Sequence, residues 1–114
     1  MSDHEFKGVS PNSKAGESIF FYSMDYWIGL FECIRMIFDE RFPPYPTLDD
    51  ETAKYIAEVM QHRLDFGLVR AYFELKAKQV FDDPDEIPGY VETMLDHTQQ
   101  YINFLKDSGG CEPV

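Results

Sequence analysis

Four stretches of the chain repeat apolar residues at the three-and-four spacing of an α-helix. In the first, Trp27, Leu30, Phe31, Ile34, Ile37 and Phe38 form one face, and Met24, Cys33 and Met36 widen it. Polar positions shrink there to Asp25, Glu32, Arg35 and Asp39, a narrow stripe. A helix that is apolar nearly all round belongs inside, so this segment reads as the central helix of the core. Ser23 has the side chain of an N-cap, and Asp25 falls in the first turn, where a carboxylate complements the helix dipole. Phe42-Pro43-Pro44-Tyr45-Pro46 ends the segment, because proline lacks an N–H and restrains the residue before it to extended geometry.

The second stretch has the cleanest pattern, with Ala53, Ile56, Ala57, Met60 and Leu64 on one stripe. Asp49 or Thr47 can cap it, Asp50 and Glu51 sit in its first turn, and Gly67 supplies the C-terminal stop. A third helix is predicted over 68–81, with Val69, Tyr72, Phe73, Ala77 and Val80 on one face. The run Asp82-Asp83-Pro84-Asp85-Glu86-Ile87-Pro88 then reads as an acidic loop. A fourth helix over 89–107 carries Val91, Met94, Leu95, Thr98, Ile102 and Leu105, and Ser108-Gly109-Gly110 closes it.

Residues 1–18 are polar and broken by Gly8, Pro11 and Gly16, which predicts a mobile N-terminal arm ahead of one helical domain at 19–112. Ile19-Phe20-Phe21-Tyr22 forms a short extended apolar entry to that domain. The expected fold class is therefore mainly α, a compact helical domain or four-helix bundle, with room for a short extended N-terminal strand.

Three segments taken in order carry a resemblance. They are Tyr26-Trp27-Ile28-Gly29-Leu30-Phe31-Glu32, the spaced helix of residues 48–67, and Phe104-Leu105-Lys106-Asp107-Ser108-Gly109-Gly110-Cys111. The chain resembles an uncharacterised family of small bacterial proteins. That family has an early Tyr-Trp-x-x-Leu-Trp-Asp pattern, a middle helix ending in glycine, and a closing Phe-Leu-x-x-Ser-Gly-Gly-Phe element. The resemblance implies a fold and carries no activity. Ile28-Gly29 stands where the family pattern has Arg-Pro, and Cys111 stands where it has an aromatic residue.

Composition changes the picture mainly through charge. Against 10 basic side chains there are 21 acidic ones, a formal net charge of -11. Such a field repels phosphate backbones and anionic lipid surfaces, so neither nucleic acid nor membrane is an expected partner. It speeds encounter with a basic protein. The aromatic share of 16% is far above that of an acidic disordered tail, so the chain is expected to fold around a real core. No stretch has the length and apolarity of a bilayer span or a signal peptide, and the two cysteines form no Cys-x-x-Cys pair. A cytoplasmic protein with reduced thiols and no structural zinc is the expectation.

Catalytic chemistry has little to stand on. His62 has Glu58 one helical turn before it and Asp65 less than a turn after, so the three share a face. A metal site there needs His97 as a further ligand, whereas a solvated polar face needs nothing more. Cys33 reads as a buried core thiol, and Cys111, after two glycines, reads as the more accessible one. There is no nucleophile elbow, phosphate loop or dinucleotide fingerprint, and no catalytic residue, metal or cofactor is assigned.

The function expected is a non-enzymatic binding or inhibitory protein, like an immunity protein, that captures a basic protein partner. Asp82, Asp83, Asp85 and Glu86 are the candidate contact residues, with Asp49, Asp50 and Glu51 as a second patch. One alternative is a homo-oligomeric structural or regulatory adaptor. It would use Tyr72, Tyr90, Tyr101 and Phe104, which fall partly off the core stripes. The other is a metal-dependent enzyme built on His62, Glu58 and His97.

Overall fold

The computed structural model describes residues 4–114. Ser23 starts the first helix as its side chain implies: its Oγ accepts the Asp25 N–H at 3.1 Å, and α1 runs Met24–Ile37. Asp49 rather than Thr47 caps the next, its Oδ1 accepting the Thr52 N–H at 2.7 Å, and α2 runs Asp50–Asp65. Gly67, at φ 83°, takes the left-handed turn that releases the chain into α3, Leu68–Val80. The acidic run is shorter than expected. Asp83 caps a 3-10 turn at Pro84–Glu86, which leads directly into α4, Ile87–Asp107. Pro88 thus sits in the first turn of α4, where its missing N–H costs nothing.

Four short strands complete the fold: β1 at Glu5–Gly8, β2 at Ser18–Phe20, β3 at Leu48–Asp49 and β4 at Gly110–Pro113. They form one antiparallel sheet in the order β2-β1-β4-β3. The fold is therefore mainly α with a small sheet, and helices alone do not account for it.

The sheet corrects the expected N-terminal arm. Residues 5–8 pair with β2 on one side and with β4 on the other, and Phe6 is fully buried. Residues 1–3 of that expected arm lie outside the described residues. The arm looked polar because β1 sends a single apolar side chain inward, while Lys7 points out and pairs with Glu112 at 3.2 Å. The short 3-10 turn at Lys14–Gly16 then packs on the end of α4. Gly16 comes so close that a Cβ there would run into the Asp107 carbonyl.

The centre of the core is also displaced from its expected place. Helix α4 touches the other three helices and strands β1 and β2, and it buries Val91, Met94, Thr98, Tyr101, Ile102, Phe104 and Leu105. Helix α1 is more peripheral, with Met36 73% exposed and Ile28 40% exposed. Apolar residues all round α1 thus reflect a solvent-facing side with two large hydrophobics rather than complete burial. Tyr101 and Phe104, expected off the core, are inside it. Trp27 joins the layers: its ring lies 4.7 Å from Phe6, 5.3 Å from Tyr101 and 5.4 Å from Phe21. Its Nε1–H donates to the Pro44 carbonyl at 2.9 Å, pinning the proline-rich loop over the core.

Candidate functional site: an acidic groove between the first and fourth helices

On α1, Asp25, Ile28, Gly29 and Glu32 recur at helical spacing and therefore share one face, with Tyr26 at its edge. That face meets the first turns of α4 across a groove of about 690 Å³. At Gly29 α1 faces side chains from α4: a Cβ there would lie 3.1 Å from the Met94 Cε, the flexible end of that side chain. The 3-10 turn brings Asp85 and Glu86 to one end, and Tyr90 and Phe81 form an aromatic wall with ring centroids 5.2 Å apart.

Four carboxylates from two separate segments thus line one groove: Asp25 and Glu32 from α1, Asp85 and Glu86 from the turn before α4. One cation, Lys76, lines it as well, and its Nζ lies 3.5 Å from Glu32 Oε2. Burial raises the Tyr90 pKa, and the nearby Cys33 and Glu32 add to the effect. Its phenol stays neutral at physiological pH and remains a hydrogen-bond donor beside the carboxylates. The neighbouring Tyr72 is pushed up to about 12, again mainly by burial.

The candidate contact residues divide accordingly. Asp85 and Glu86 line the groove. Asp82 and Asp83 are exposed and lie outside its lining, and Asp83 is engaged as a cap. Asp49, Asp50 and Glu51 belong to the start of α2. Asp49 is held below the usual carboxylate range by hydrogen bonds from Thr52, and Asp50 pairs with Lys54 at 3.0 Å. Asp25, Glu32 and Tyr26 were not singled out from the sequence as contact residues, and Tyr90 was named only for a homo-oligomeric interface. The available signal was the i, i+7 placement of Asp25 and Glu32 on one face with only Ile28 and Gly29 between them.

The candidate metal ligands do not assemble. Glu58, His62 and Asp65 line a second groove, between α2 and α4, while His97 packs on Tyr26 at 4.8 Å and on Phe21 at 5.7 Å. Burial lowers the His97 pKa, with Asp96 acting in the opposite direction, and its Nε2 is buried without a hydrogen-bond partner. Among the described residues no three His, Cys, Asp or Glu side chains are grouped to hold a metal ion. Both cysteines are free and buried. Burial pushes the Cys33 thiol up to about 12 and the Cys111 thiol to about 11, so Cys111 is not the accessible thiol its diglycine neighbours suggested. Among the described residues no helix is long and apolar enough to cross a membrane. Comparison with protein-family models, curated proteins and solved structures found no match for this chain.

Proposed function

We propose that the protein is a non-enzymatic binding protein that captures a basic protein partner, in the manner of an immunity protein, through the groove between α1 and α4. The observation that carries this reading is the convergence of Asp25, Glu32, Asp85 and Glu86 on one groove that also has Tyr26, Phe81 and Tyr90 in its lining. Carboxylates around an aromatic wall suit an arginine or lysine side chain, which takes charge-assisted hydrogen bonds at its head and packs its plane or stem on the rings. The net charge of -11 adds long-range attraction, which raises the rate of encounter and fades with salt.

The test compares two charge-reversed proteins of equal net charge as baits for the proteins of the native cytosol, with retained proteins identified by mass spectrometry. Glu32→Lys with Glu86→Lys alters the groove; Glu17→Lys with Glu74→Lys alters exposed positions outside its lining. The groove variant is expected to lose a basic partner that the wild type and the control retain, with affinity down by about tenfold or more, or about 1.4 kcal/mol. Retention of the same partners by both variants would refute the assignment.

A further inference from the structure

The second groove has a different character. Asp49 at the start of α2 pairs with Gly110, just past the end of α4, so the two helices run antiparallel from that junction. Farther along, Gln61 and Gln99 exchange side-chain amide hydrogen bonds at 2.8 Å and 3.2 Å across the pair. Along this pair runs a cavity of about 520 Å³ that extends past the Gln61 tie to His62 and Asp65, with the buried Ala57 and Ile102 in its lining. The size is that of a small-molecule pocket, and its charged side chains, which outnumber the apolar ones, surround an apolar floor and suit a charged ligand.

Its charges are ordered along the helices. Lys54 and Lys106 each lie about one turn from the β3–β4 junction, while Glu58 is a turn farther along α2. Among the described residues neither Glu58 nor Lys106 takes part in an ion pair. Two more carboxylates stand on the same rim: Asp107, whose Oδ2 accepts from Ser13 Oγ at 2.6 Å, and Asp65, whose Oδ1 accepts from Gln61 at 2.9 Å, and neither is ion-paired with Lys106. Lys54 is held by Asp50, but both partners are about half exposed, and surface pairs of this kind are worth under about 1 kcal/mol, so a bound anion can recruit it.

We infer that this cavity binds a small zwitterion of dipeptide size, with its carboxylate toward Lys106 and Lys54, its ammonium on Glu58, and an apolar side chain over Ala57 and Ile102. The spacing agrees. Four residues of helix advance about 6 Å, and two residues of extended chain span about 7 Å.

The probe is L-alanyl-L-leucine, titrated into the isotope-labelled full chain while backbone amide resonances are followed by NMR. Saturable shifts confined to the neighbourhood of Ala57, Gln61 and Ile102 are expected, with half-saturation at or below about 1 mM. The same peptide acetylated at its N-terminus and amidated at its C-terminus, and the variants Glu58→Lys and Lys106→Glu, are each expected to bind at least about tenfold more weakly. Both side chains are exposed, so the variants should keep the native spectrum outside the cavity, which the same measurement verifies. No saturable shift by about 10 mM, or equal binding of the capped peptide or of both variants, would overturn the inference.

Discussion

Replacing Phe6 by alanine tests whether the first strand belongs to the folding unit. Phe6 has 0% exposure, and its ring sits 4.7 Å from Trp27 and 6.4 Å from Tyr101, so its removal leaves a cavity against two of the largest core side chains. Buried Phe→Ala changes cost about 3–5 kcal/mol, from lost transfer energy and from a cavity that the neighbours fill only in part. The whole stability of a domain this size is roughly 5–15 kcal/mol, so the variant gives up a large share of it. At about 4 °C per kcal/mol the melting temperature should fall by roughly 12–20 °C. Urea unfolding followed by tryptophan fluorescence reads the loss directly, since Trp27 is the chain's one tryptophan and touches the mutated site. The control is Phe66→Ala at a position 81% exposed, where the change should stay within about 0.5 kcal/mol. A loss below about 1 kcal/mol for Phe6→Ala, with an unchanged slope against urea, would show that β1 is dispensable and would refute the reasoning.

Four further outcomes follow from local surroundings. Gly16→Ala should destabilise by about 2 kcal/mol or more because the Asp107 carbonyl occupies the space of the new methyl. Gly89→Ala, with nothing in its way, should be neutral or stabilise α4 by up to about 1 kcal/mol; paired urea curves distinguish the two. Because burial holds the folded-state pKa of His97 below the ordinary 6.5, the unfolded chain takes up its proton first, and stability should decline as pH falls below that value. His97→Phe should flatten this part of the melting-temperature profile, and an unchanged slope would refute the attribution. Cys33 and Cys111 should resist a thiol-specific reagent at pH 8 in the native protein and react fully in denaturant, because burial both covers them and keeps them protonated. Rapid native labelling of Cys111 would contradict its place in β4.

The helices were legible because their signals are local. Ser23, Asp49 and Gly67 each act within one turn of where they stand, and the α2 stripe needs only its own spacing. The sheet was not legible, because each strand is at most four residues long and β4 finds its partners far away in the sequence, Pro113 with Phe6 and Cys111 with Leu48. No periodicity of two develops in so short a run. The candidate site was half visible. The acidic turn was identified, and Asp85 and Glu86 do line the groove. Asp25 already had a sufficient local explanation in the α1 dipole, and Glu32 one in the polar stripe, so their approach to that turn depends on how α1 and α4 cross.

The pairing of β1 with β4 also bears on how the chain is made. Phe6 leaves the ribosome early, yet the β4 partner of its strand lies at Cys111–Pro113, and its neighbour Tyr101 comes scarcely sooner. At roughly 5–20 residues per second, that partner follows about 5–20 s later. This long-range closure therefore waits until residues 111–113 have been made. In the meantime Phe6, Trp27 and Phe21 lack Tyr101, the ring they share in the finished core. A nascent chain stalled before α4 should thus be a substrate for chaperones that bind exposed aromatic clusters, and the released, folded chain should not.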